Sequence, residues 1–209
     1  MDISPLQIEG AWVLTPQLRP DERGVFLEWF AGSEFERVAG HPLDLRQANL
    51  SVSAAGVLRG VHFAQLPPSQ AKYVTCPAGA VLDVIVDLRV GAPTFGEWDS
   101  VLLDDVDRRA VYISEGLGHA FVSLADGSTV SYLCSAPYAP AREHGIHPRD
   151  PDLAIRWPDR DRDGRPLDLR LSPKDAEAPT LAEVRAAGLL PTYDEVLAFR
   201  AGLARAVTA

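Results

Sequence analysis

From about residue 45 to 135 the chain is a succession of short apolar runs, each closed by Gly, Pro or Asp at nearly even spacing. "KYVTCPAGAVLDVIVDLRVGAPTFGEWDSVLLDD" holds three such runs, "AVYISEG" and "HAFVSL" two more, and "TVSYLCSAPY" another. This cadence predicts an antiparallel sandwich or barrel rather than alternating βα units. In "VLDVIVDLRV" the polar residues Asp83, Asp87 and Arg89 share one parity, so one face of that strand is expected to line a wet cavity. The tail breaks the pattern. Thr180 with Glu183, and Thr192 with Glu195, are spaced as capping boxes before "LAEVRAAGLL" and "VLAFRAGLARA". The reading is a mainly β chain with short C-terminal helices, divided into a barrel over 1–178 and a helical tail over 179–209 packed on it.

Composition removes whole classes of function. A hydrophobic content of 46% is ample for one core, which argues against disorder. The net charge is −9 and no basic run exceeds two residues, so neither nucleic acid nor an anionic membrane is an expected partner. Any anionic ligand must be held by a few local cations. The start "MDISPLQIEG" lacks the pattern of a signal peptide, and no apolar run reaches about 18 residues, so a cytoplasmic location is expected. Cys76 and Cys134 stand alone in strand-like runs and are read as buried free thiols.

In "GVLRGVHFAQLPPSQAKYV" one histidine lies between an arginine and one of only two lysines. A His-bearing strand in a small all-β barrel suggests the cupin, or jelly-roll, architecture. Metal ligation from one strand needs two ligands of the same parity, and here position 64 is Ala64, while Gln65 and Gln70 are poor ligands. His62 and His119 without a third partner make a weak site, so no metal and no cofactor are expected. Proton transfer suits His62 better, with Asp83, Asp87 or Asp175 as candidate carboxylates to fix its tautomer. Lys72 is a candidate oxyanion stabiliser, and Tyr132 a proton donor from another side. Each of the three also has a purely structural reading: a bonded core histidine, a rim lysine, a barrel-filling aromatic.

Longer stretches tip that balance. "DERGVFLEWF", "QANLSVSAAGVLRGVHF", "QAKYV", "GAPTFGEW", "SEGLGHAF", "YLCSAPYAPAREHGIHPRDPDLAIRWP" and "LSPKD" occur in the order found in the dTDP-4-dehydrorhamnose 3,5-epimerase family. The chain resembles those RmlC-like cupins from about residue 7 to 192, and within them the antibiotic-sugar branch. The resemblance implies His62 as the base with Asp175 as its partner, Tyr132 as the opposing acid and Lys72 beside the enolate. It implies that Arg23, Phe26 and Glu28 meet the nucleotide from the neighbouring subunit of a strand-exchanged homodimer. Gln47, Asn49, Arg59, His119, Tyr138 and Glu143 then surround the sugar and phosphates of a dTDP-4-keto-6-deoxyhexose.

Two departures from the family carry their own expectations. "GLGHAF" replaces the more usual "GFAHGF", which is expected to reshape the pocket beside His119 and favour C3 over C5. "DRDRDGRPLDLR" lengthens the approach to Asp175. Its Asp159, Asp161, Asp163 and Gly164 imitate the start of a calcium loop, but Arg170 falls where a bidentate Glu is needed, so a solvated loop is expected. Two alternatives stand beside the epimerase: a 3,4-ketoisomerase of related fold, which carries two neighbouring histidines where this chain reads "GVHFAQ", and a non-catalytic nucleotide-sugar-binding cupin.

Overall fold

The computed structural model describes residues 1–206. Along them run β1 (Asp2–Pro5), β2 (Ala11–Thr15), β3 (Arg19–Asp21), β4 (Gly24–Phe26), α1 (Gly32–Ala39), β5 (Gln47–Ser53), β6 (Leu58–Ala64), β7 (Lys72–Ala78) and β8 (Ala80–Asp87). Then come β9 (Trp98–Asp104), β10 (Ala110–Ile113), β11 (Leu117–Ser123), β12 (Ser128–Cys134), β13 (Glu143–Gly145), α2 (Pro173–Ala176), α3 (Leu181–Ala186) and α4 (Tyr193–Ala206).

The strands make a six-stranded sheet in the order β1-β2-β10-β7-β12-β5 and a five-stranded sheet in the order β13-β6-β11-β8-β9, with β3 and β4 forming a separate hairpin. Every pairing between strands is antiparallel. Val74, Cys76, Val81, Ile85, Val111, Leu117, Phe121 and Val130 interdigitate between the two large sheets. Each fully buried aliphatic side chain there contributes roughly 1.5–3 kcal/mol. The alternate residues of β8 and β11, among them Val84, Val86 and Ala120, pack outward against Leu153, Ile155, Leu181 and Val184. Burial on both faces is why these strands read as nearly continuous apolar runs.

The polar parity of β8 is not wet. Asp83, Asp87 and Arg89 are all 0% exposed, which corrects the expectation of a water-lined face. Each carboxylate is compensated inside the fold. Asp87 takes two hydrogen bonds from the Arg89 guanidinium, at 2.8 Å each, and one from Thr94 at 2.6 Å, while Asp83 is paired with His119.

Both C-terminal helices form where the capping boxes put them, each Thr hydroxyl accepting from the backbone of the Glu three residues on. Two helices escaped the sequence reading. α1 covers the outer face of the six-stranded sheet through Phe35, which packs with Tyr73 and Tyr112, and α2 is a single turn. β1 and β2 pair within their own chain's sheet, leaving the β3–β4 hairpin as the strand element that stands apart. No helix among the described residues is long and apolar enough to cross a membrane. Residues 207–209 of the expected tail lie outside the described residues.

Candidate active site

One end of the barrel opens into a cavity of about 380 Å³ lined by Gln47, Asn49, His62, Gln70, Lys72, Tyr132, Tyr138, Glu143, His144 and Lys174. The six-stranded sheet supplies β5, β7 and β12, and the five-stranded sheet supplies β6 and β13. His62 sits on β6 directly opposite His119 on β11, so both rings point to the same side of their sheet. The register slips between His119 and Phe121, next to Gly60. A Cβ at Gly60 would lie 2.5 Å from the His119 carbonyl oxygen, and its φ is +108°, so the approach that seats His62 needs glycine there.

Asp175 reaches His62 from α2, with Oδ1 2.7 Å from Nε2. Its other oxygen accepts from the Ser172 hydroxyl at 2.8 Å, and Ser172 in turn caps α2 by accepting from the Asp175 backbone N–H. Burial pushes the Asp175 carboxyl up, but the hydrogen bonds from His62 and Ser172 outweigh it and hold the group below its ordinary value. An ionised carboxylate can only accept, so Nε2 carries the ring proton and Nδ1 is left as the basic atom. The longer segment before α2 does not displace it. Asp161 closes that segment on itself by accepting from the backbone of Asp163 and Arg165, and Arg170 returns to the barrel by pairing with Val57.

Lys72 and Tyr132 complete the inner wall. Burial pushes the Lys72 ammonium down, with Glu143 and Asp83 pulling the other way. Burial pushes the Tyr132 phenol up, so it keeps its proton at neutral pH. His119 does not line the cavity: it is nearly buried, with Nε2 2.8 Å from Asp83 Oδ2. Burial raises the Asp83 carboxyl, and His119 and Lys72 oppose that rise. Of the three candidate partners for His62, the structure therefore gives Asp175 to His62, Asp83 to His119 and Asp87 to Arg89.

Gln47 donates to Asn49 and accepts from the backbone of Tyr138, which ties β5 to the loop after β12. Arg59 is exposed, bonded to Ser53, and its charge reaches Tyr132. Arg23, Phe26 and Glu28 are not brought to this cavity within the chain. Arg23 pairs with its own neighbour Asp21, while Phe26, 69% exposed, and Glu28 line a separate groove with Met1, Gln17 and Arg19. The "GLGHAF" expectation also needs correcting. Leu117 is in the core, and a Cβ on Gly118 would come within 2.8 Å of Leu88 and Val61, so neither residue faces the cavity.

The sequence reading missed His144 and Lys174. The first lies on a three-residue strand too short to show a period, packed against Phe63 with ring centroids 5.5 Å apart. Burial and the nearby charges of Arg142 and Lys174 hold it below the ordinary histidine value. Lys174 was visible beside Asp175, and its neighbour's role concealed its own. Gln70, a poor metal ligand, lines the cavity as well.

The model for the family described as dTDP-4-dehydrorhamnose 3,5-epimerase matches residues 5–183. A dTDP-4-dehydrorhamnose 3,5-epimerase of Mycolicibacterium smegmatis is 62% identical over 199 residues, which span 95% of this chain and 95% of that one. Among solved structures, the rmlC epimerase of Mycobacterium tuberculosis superposes with a TM-score of 0.93 at 56% identity, covering 97% of this chain and 100% of that one. ChmJ, a 3'-monoepimerase from Streptomyces bikiniensis in complex with dTDP-quinovose, superposes with a TM-score of 0.90 at 48% identity, covering 96% and 98%.

Proposed function

The chain belongs to the dTDP-4-dehydrorhamnose 3,5-epimerase family, and on that footing we propose that it is an isomerase inverting C3 of a dTDP-4-keto-6-deoxyhexose without metal or cofactor. C3 is the carbon common to the 3,5-epimerase and 3'-monoepimerase relatives. The observation that carries the reading is the His62–Asp175 pair opening on a cavity that also holds Lys72 and Tyr132. Nδ1 of His62 takes the proton from C3, and the electron pair of that C–H bond moves into the C4 carbonyl as an enolate. The Lys72 ammonium stabilises the new negative charge on oxygen, and Asp175 stabilises the imidazolium. Tyr132 then protonates C3 from the opposite face and recovers its proton from solvent.

A second reading, inversion at C5 as well, is favoured by the identity to the mycolicibacterial 3,5-epimerase. It needs the same groups acting twice on a reoriented sugar. Gln47, Asn49, Arg59, His119, Tyr138 and Glu143 are assigned to binding, His119 from behind the cavity wall. Arg23, Phe26 and Glu28 are assigned to the nucleotide bound in the other subunit of a homodimer. That assembly is supported by the separate β3–β4 hairpin and by Leu50 and Val52, which are 65% and 60% exposed on the edge strand β5. The buried unpaired Cys76 and Cys134 are in keeping with a cytoplasmic enzyme. The test is deuterium wash-in at C3 in D₂O with chelator-treated protein: wild type is expected to exchange and His62→Asn is not. Exchange that needs an added divalent ion would defeat the proposal.

A further inference from the structure

Three amides line the cavity, and two are spent on protein groups. Gln47 donates through Nε2 to Asn49 and accepts at Oε1 from the Tyr138 backbone, while Asn49 accepts from Gln47 and donates to the Cys134 sulfur. Gln70 differs. Its Nε2 donates to the Ala136 carbonyl at 2.8 Å, and no protein donor among the described residues reaches its Oε1. A backbone carbonyl only accepts, so this bond fixes the amide's orientation and leaves a pure acceptor on the other side. Gln70 and Lys72 share the inner face, because Ala71 between them packs into the outer layer with Phe35 and Tyr73. The acceptor therefore lies two residues from the ammonium assigned to the ketone oxygen. The groups of a 4-keto-6-deoxyhexose that can donate near a ketone are its ring hydroxyls; its methyl cannot.

We propose that Gln70 is a specificity-determining residue whose Oε1 accepts a hydrogen bond from a hexose hydroxyl, at C3 or C2, so that the site selects hydroxylated sugars over deoxy ones. This rests on the reaction proposed above. An acceptor with no protein donor is satisfied by a substrate hydroxyl and left bare by its deoxy analogue, and sites built this way discriminate through the unpaired group.

The experiment measures kcat/KM for deuterium wash-in next to the ketone, using dTDP-4-keto-6-deoxyglucose and its 2-deoxy and 3-deoxy analogues. Wild type should prefer the hydroxylated nucleotide over one analogue by about tenfold or more, and the analogue that loses identifies the hydroxyl. Gln70→Met should bring that ratio to within roughly threefold of unity, whereas Gln70→Glu, which keeps an acceptor and gives up the Ala136 bond, should preserve the preference. A residue that merely anchors the loop at Ala136 would lower all substrates together and be lost equally in both variants. A wild-type ratio near unity, or a Gln70→Met ratio equal to wild type, would overturn the inference. Wild-type protein inactive on the hydroxylated nucleotide would overturn the reaction and this inference with it.

Discussion

Asp175 comes to His62 from 113 residues away, and its value lies in the nitrogen it leaves free. Asp175→Asn removes the fixed acceptor for Nε2–H and lets the wrong tautomer form, so kcat is expected to fall by about 10²-fold or more with KM little changed, read by steady-state kinetics. The folded carboxyl sits below 3.8, so the sign is that of a group stabilised in its ionised form. Its contribution to stability is present above the unfolded value and is lost only as pH falls through the folded one. On the alkaline side burial pushes the Lys72 ammonium down and the Tyr132 phenol up, and the alkaline limb is assigned to the ammonium because the enolate oxygen needs its charge. Lys72→Arg should move the alkaline limb of kcat/KM for deuterium wash-in at C3 to higher pH, and Tyr132→Phe, which still exchanges, should leave its position unchanged; the reverse pattern would reassign the limb to the phenol. His62, Lys72 and Tyr132 were legible as chemistry because each is an unusual residue in an apolar run. Asp175 stands among three candidate carboxylates in the sequence and is singled out only by family resemblance, since nothing local to "LSPKD" announces a partner so far back in the chain.

Among the elements, the single turn of α2 does more for the site than its length suggests. Ser172 caps it and bonds the Asp175 carboxylate, so one side chain fixes both the helix start and the dyad. Ser172→Ala is expected to cost about 1 kcal/mol in denaturant unfolding through the lost cap. It should also lower kcat, by less than Asp175→Asn does, because the bond from His62 remains. Unchanged kcat would show that the cap and the dyad are independent. The strand cadence and the two capping boxes were readable because period and cap chemistry are local signals. α1 was not: "GSEFERVA" has no side-chain cap, and its place is decided by Phe35 docking on Tyr112 with ring centroids 4.7 Å apart, a contact made only in the fold. The polar parity of β8 holds as a pattern but not as a wet face: Arg89, two residues on in the same run, dries Asp87, and His119 on β11 dries Asp83, a pairing made only in the fold.

At the scale of the whole molecule, the site proposed here needs two chains. If Arg23 serves the neighbouring subunit, Arg23→Ala and His62→Asn proteins should each be nearly inactive, yet recover activity when unfolded together and refolded as a mixture. One of the two sites in each mixed dimer would then be intact. A mixture no more active than its parts would confine the site to one chain. In the proposed reaction two groups work from opposite faces of the sugar, His62 removing the proton and Tyr132 returning it. NMR of dTDP-4-keto-6-deoxyglucose turned over in D₂O tests this most directly when wild type is set beside Tyr132→Phe. Deuterium at C3 with inversion is expected in wild type, and deuterium with retention in Tyr132→Phe, because His62 can return a proton only to the face it came from. Inversion at an undiminished rate in Tyr132→Phe would contradict it.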